Sequence, residues 1–134
     1  MSLPHRFPLF AAGLFGATGV GLGAFGAHAL RAALTDLGTR DRWETAVSYQ
    51  LTPTVALLGA AAWLRTARGA AATRLLWAAR SWSVGIALFS GSLYLLAVTT
   101  SAPLWFKIAV PPLGGTALIV GWLCVGAAAW ANDE

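Results

Sequence analysis

The chain has 134 residues, 57% of them apolar and 10% charged, where a soluble domain carries about 25% charged residues. Its net charge of +4 comes from nine Lys and Arg scattered among short polar segments. That scatter argues against the clustered cationic face of a nucleic-acid-binding protein. A single cysteine, Cys124, excludes an intramolecular disulfide.

Four stretches carry no Asp, Glu, Lys or Arg: Phe7 to Leu30, Thr45 to Leu64, Ser81 to Phe106 and Ile108 to Asn132. Each is about twenty residues or longer, enough to cross roughly 30 Å of hydrocarbon at 1.5 Å per residue. None alternates polar and apolar residues as a barrel strand would, and a lipid-exposed backbone must satisfy its own hydrogen bonds. The expectation is an all-α integral membrane protein. It forms one transmembrane domain over 1–134, a compact bundle of four transmembrane helices spanning about 7–30, 45–64, 78–99 and 108–131.

The first stretch follows Arg6 and ends on Ala27-His28-Ala29, the outline of a signal peptide. Its apolar run is longer than the usual core of about 7 to 15 residues, so it is read as a retained span. Ala12, Gly16, Gly19, Gly23 and Ala27 share one face, where missing side chains let another helix approach closely. The second helix is expected to start near Arg40, with Thr39 as its cap and Asp41 in its first turn. In the third stretch Gly85, Gly91 and Ser92 offer a shorter seam, and in the fourth Gly114, Gly115 and Gly121 do the same. The fourth also contains Pro111-Pro112. Proline removes a backbone donor and restricts the residue before it, so this helix is expected to kink or restart there.

Trp43, Trp63, Trp77, Trp82, Trp105 and Trp130 fall near span ends, where amphipathic rings suit the headgroup region. With four spans both termini share a side with Arg65, Arg68, Arg74 and Arg80. That loop contains no acid, so it and the termini are placed in the cytoplasm. Gly21 to His28 and Gly85 to Ser92 share Gly, an aliphatic residue and Phe in the same places. A duplicated hairpin and chance similarity in Gly-rich sequence both account for that.

Polar residues inside spans are costly and mark candidate sites. His28 lies near the end of the first span, and Trp43, Glu44, Tyr49 and Gln50 begin the second. A Glu44–His28 contact follows from the short connection between the helices. Ser90, Ser92 and Tyr94 form a second polar group in the third span, with Ser90 expected to bond to its own preceding turn. The candidate ligand-binding set is therefore His28, Trp43, Glu44, Tyr49, Gln50, Ser90, Ser92 and Tyr94.

Several chemistries lack their residues. His5 and His28 lie roughly 34 Å apart along one helix, too far to share a haem. No span contains Asp or Glu for proton-coupled export, and no ligand set for zinc or di-iron is present, so neither cofactor nor metal is expected. Ser92 with His28 lacks a nucleophile elbow and an orienting acid.

Gly21-Leu22-Gly23-Ala24-Phe25-Gly26-Ala27-His28-Ala29-Leu30, Trp43-Glu44-Thr45-Ala46-Val47-Ser48-Tyr49-Gln50, Leu88-Phe89-Ser90-Gly91-Ser92-Leu93-Tyr94, and Pro112-Leu113-Gly114-Gly115 with Gly121-Trp122 resemble the signature blocks of the YgdD-like family of small membrane proteins. The resemblance implies a multi-helix bacterial inner-membrane protein, with mitochondrial relatives in animals, from a family of unknown activity. Two positions depart from it: Pro53, near which the family often has His, and Pro111, where it often has Thr. The first departure weakens any role needing a second intramembrane histidine.

Two functions follow as expectations. One is a non-enzymatic membrane protein acting by helix packing, as a homo-oligomer or as an accessory subunit of a membrane complex, surrounded by lipid and with no nucleic acid. The other is a conduit or carrier for a small solute, lipid or ion through a polar site near His28.

Overall fold

A computed structural model describes residues 3–131 of the chain. Asn132, at the end of the fourth uncharged stretch, and the side chain of His5 lie outside the described residues. The described residues form helices joined by short turns: α1 (Leu3–Ala27), α2 (Arg31–Asp36), α3 (Arg40–Trp63), α4 (Gly69–Gly85), a π-helical turn (Ile86–Ser90), α5 (Gly91–Val98) and α6 (Leu104–Ala129). No strand occurs among them.

Helix α4, the π turn and α5 make one rod, Gly69–Val98. Among the described residues, this rod, the Arg6–Ala27 segment of α1, and α6 are the three helices long and apolar enough to cross a membrane. Helix α3 has 24 residues, but Arg40, Asp41, Arg42 and Glu44 at its start and Gln50 within it lower its apolarity.

Successive rods run antiparallel. The start of α3 meets the end of α1 where the Trp43 indole donates to Leu22 O at 2.9 Å. The start of α4 meets the end of α6 where Arg74 donates to Ala127 O at 2.6 Å. Helices α1 and α3 form one close pair and α4 and α6 the other, with the π turn and α5 packed against α3. Leu57, Leu75, Trp82, Ile86 and Leu118 fill the main core; Leu34, Trp43 and Ala97 form a smaller one under α2.

The connection between the first two spans carries its own order. Leu37 ends α2, Gly38 takes a left-handed φ of 64°, and Thr39 N–H reaches back to Leu34 O at 2.9 Å while Gly38 N–H reaches Thr35 O at 3.0 Å. This paired closure satisfies carbonyls that the helix end leaves open, and glycine adopts the required backbone at little cost. Thr39 then precedes α3 as expected, but its hydroxyl makes no cap bond. It donates instead to Ala97 O at 2.7 Å, tying α3 to α5.

The expected restart at Pro111-Pro112 does not occur. Helix α6 continues from Leu104 to Ala129 with both prolines inside it. The prolines withdraw donors only from the carbonyls of Lys107 and Ile108, within two turns of the helix end, and their own φ is already helical. Beyond them Gly114 lies directly on the Phe89 backbone. That packing holds α6 against the π turn just beyond the prolines.

The glycines differ in what surrounds them. A Cβ added at Gly19 would lie 2.7 Å from Leu51 Cδ2, and one at Gly23 3.3 Å from Val47. One at Gly16 would make an ordinary contact, 3.5 Å from Thr54. These three glycines face α3. Gly26, seven residues after Gly19, carries the Trp43 indole directly on its backbone. A Cβ added at Gly85 would lie 2.6 Å from Leu118 Cδ2, one at Gly121 would fall on the Trp82 ring, and one at Gly115 would make an ordinary contact, 3.6 Å from the Phe89 ring. Gly91 has nothing within 4 Å, so it contributes no close contact.

Candidate functional site

Gln50 is the centre of the polar groups inside the chain. It sits on the inward face of α3 and is 3% exposed. Its amide nitrogen donates to Phe15 O and to Thr18 Oγ1, both at 2.9 Å on α1. Its carbonyl accepts from Tyr94 Oη on α5 at 2.8 Å. Thr18 passes its own proton to Leu14 O at 2.8 Å. One side chain therefore joins three helices, and its donors and acceptor are matched. A buried amide left unpaired costs about 1 to 3 kcal/mol, which explains why the partners converge here.

Above this junction Trp43 and Tyr94 meet edge to face, with ring centroids 4.7 Å apart. Trp43, expected at the headgroup level, is 5% exposed, and Trp82 is 1% exposed. Both pack onto glycine: Trp43 on Gly26, Trp82 on Gly121. Trp63, Trp77, Trp105 and Trp130 are exposed. A glycine on a facing helix draws in a large ring that would otherwise sit at the interface.

The expected His28 cluster does not assemble. His28 lies just past the end of α1 and is exposed. Glu44 pairs with Arg40 at 2.8 Å, one turn away on α3. No hydrogen bond or ion pair among the described residues joins His28 to Glu44, Tyr49 or Gln50. The chain turns at residues 28–30 into α2, and although Ala27 and Glu44 line one small cavity of about 260 Å³, the Glu44 carboxylate is held by Arg40. Tyr49, next to Gln50 in sequence, points about 100° away around the helix. It is 50% exposed and its ring lies 4.8 Å from Phe89.

Ser90 does not make the expected bond to its own preceding turn, whereas Ser92 does, to Phe89 O at 2.9 Å. Ser90 is 1% exposed and its hydroxyl has no partner. The π turn explains the difference: Gly91 N–H reaches back five residues to Ile86 O. The extra residue in the turn rotates everything after it relative to a regular helix. The residue that sequence reasoning missed is Thr18. Its signal is that of a hydroxyl in an otherwise Gly- and Ala-rich span, one residue before the Gly19 that lets α3 approach.

Two open spaces flank the junction. A groove of about 580 Å³ lies between α3, the π turn and α6, lined by Tyr49, Pro53, Phe89, Leu118 and Trp122 among others. A pocket of about 480 Å³ lies between the starts of α3 and α6 and the end of α5, and Arg42 and Lys107 line it.

Comparison with known proteins places these features in a family. The family described as "Protein of unknown function (DUF423)" matches residues 22–115, a segment that contains Gln50, Tyr94 and Gly114. The UPF0382 inner membrane protein YgdD of Escherichia coli is 36% identical over 130 residues, covering 93% of this chain and 92% of that protein. The chain belongs to this family. The UPF0382 membrane protein YwdK of Bacillus subtilis is 39% identical over 112 residues, 82% of this chain and 85% of its own. A UPF0382 membrane protein of Haemophilus influenzae is 38% identical over 104 residues, 78% of this chain and 77% of its own. No solved structure matches the chain. Membership in a family of membrane proteins agrees with three helices apolar enough to cross a bilayer.

Proposed function

We propose that this chain is a non-enzymatic inner-membrane protein that acts by presenting helix surfaces to other helices, as a homo-oligomer or as an accessory subunit of a membrane complex. The observation that carries the reading is a second small-residue face on α1. Gly19, Gly23 and Gly26 meet α3, while Gly13, Ala17 and Gly21 recur every four residues on the outer side and are exposed. Gly13 and Gly21 have nothing within 4 Å. In lipid, such a face gains contact only by meeting another helix closely.

In this reading α3 is the fourth span. Its 24 residues measure about 36 Å, Gln50 is paired internally, and the Arg40–Glu44 pair sits at its end. The spans form a four-helix bundle with both termini, the turn that carries Arg65 and Arg68, and the start of α4 with Arg74 on the cytoplasmic side. The Gln50 junction serves as an internal clamp with its hydrogen bonds matched. His28 lies outside it, so a conduit through a joined polar site has no observation in its favour.

The test compares two leucine substitutions on α1 by mass measurement in mild detergent and by crosslinking in native membranes. Gly19→Leu overpacks the α3 contact and lowers stability by about 1 to 3 kcal/mol. Gly21→Leu leaves the fold intact and dissociates the assembly. A parent protein that is a lone monomer by both measurements, unchanged by Gly21→Leu, refutes the proposal.

A further inference from the structure

At the end of the bundle that holds α2, Arg31, Arg40, Arg42 and Lys107 stand near Asp36, Asp41 and Glu44, yet the charges there are not all paired off. Arg40 and Glu44 form the one ion pair among the described residues, so Arg42 and Lys107 have no carboxylate partner there. Both line the 480 Å³ pocket. Arg42 is fixed in place, because its Nη1 donates to Leu96 O at 2.7 Å. A guanidinium has five N–H donors, so others remain available. Lys107 stands in the first turn of α6, where the helix end is itself partly positive and a cation is ordinarily disfavoured.

The opposing negative end of α5 is muted, since Arg42 and Thr39 already occupy the carbonyls of Leu96 and Ala97. Thr99 and Thr100 add hydroxyls, while Leu93 and Pro111 supply an apolar wall. The larger groove beside Tyr49 has no charged residue in its lining, so the two cations are particular to this pocket.

We propose that this pocket binds a phosphate group between Arg42 and Lys107, carried by the headgroup of an anionic membrane lipid or free in solution. Two cations and hydroxyls above an apolar wall fit the junction of headgroup and acyl chain. A volume of about 480 Å³ also lies within the roughly 300 to 1,000 Å³ common for small-ligand sites.

The full-length protein in mild detergent is titrated with phosphatidylglycerol or phosphatidylcholine, and bound lipid is counted by native mass spectrometry. The parent retains phosphatidylglycerol in preference to phosphatidylcholine. Lys107→Gln weakens that retention about fivefold, and the double variant Arg42→Gln/Lys107→Gln about 25-fold. Arg65→Gln/Arg80→Gln, which removes the same charge outside this pocket, just past α3 and within α4, leaves it unchanged. Because Arg42 also ties down the end of α5, Lys107→Gln decides the matter if the double variant fails to fold.

A competition arm with millimolar inorganic phosphate separates the sources. Displacement of the lipid, lost in Lys107→Gln, assigns the pocket to soluble phosphate. Failure to displace assigns it to lipid. Retention of phosphatidylglycerol by Lys107→Gln equal to the parent, or an equal loss in the control pair, overturns the proposal.

Discussion

Gly114 and Gly115 are neighbours in one helix, yet their surroundings differ enough to predict opposite outcomes for the same substitution. A Cβ at Gly114 would fall on the backbone nitrogen and Cα of Phe89. Backbone cannot rotate aside, so α6 would have to move away from the π turn. A Cβ at Gly115 would instead meet the Phe89 ring edge at 3.6 and 3.8 Å, an ordinary contact. Replacing glycine by alanine within a helix gains about 0.5 to 1 kcal/mol in backbone entropy at both positions, so that gain cancels in the comparison. What remains is the overpacking cost at Gly114, about 1 to 3 kcal/mol. Gly115→Ala should therefore equal or exceed the parent in stability, and Gly114→Ala should fall below Gly115→Ala by that difference. Reversible unfolding of the two variants in one detergent measures it directly. Equal stabilities, within about 0.5 kcal/mol, would show that α6 does not lie against the π turn.

Two further outcomes concern the polar interior. In a double-mutant cycle of Gln50→Leu and Tyr94→Phe, the coupling should be about 0.6 kcal/mol and no more than about 1.7, the range for hydrogen bonds between membrane helices; zero coupling means the two side chains do not meet. Ser90→Ala should be neutral or stabilising in thermal melting, because the deleted hydroxyl is buried without a partner; a loss above about 1 kcal/mol would reveal a bond that the described geometry lacks.

Three of the rods were legible because about twenty residues that are both uncharged and strongly apolar signal a membrane helix. The uncharged stretch 45–64, diluted by Ser48, Gln50, Thr52 and Thr54, shows that absence of charge alone is not enough. The start of α3 near Arg40 and the direction of Gly16, Gly19 and Gly23 were also readable, since Gly38 before the helix, Asp41 in its first turn and 3.6-residue periodicity are local signals. The choice of partner was not. Nothing local indicates that Gly26 receives Trp43, or that Thr39 bonds across to Ala97 rather than capping its own helix. Both depend on how far one rod slides along another. The Glu44–His28 pairing was inferred from chain proximity, and a turn at residues 28–30 with Arg40 one helical turn from Glu44 was enough to undo it.

The π turn limits sequence reading in a different way. Gly21 to His28 and Gly85 to Ser92 look alike, yet the first runs as regular helix through Ala27 and the second contains the widened turn. Periodicity assigns every residue of a rod to a face by counting from a fixed origin. One extra residue in a turn shifts the origin for all that follow, by about 100°. Phe89 is where that shift has its use: its backbone receives Gly114 on one side, its carbonyl accepts from Ser92, and its ring meets Tyr49. Downstream of the turn, Tyr94 faces Gln50. The same widening leaves Ser90 buried without a partner. A widened turn that leaves a polar group unpaired persists where surrounding contacts outweigh that cost, and here those contacts join α3, α5 and α6 at a single residue.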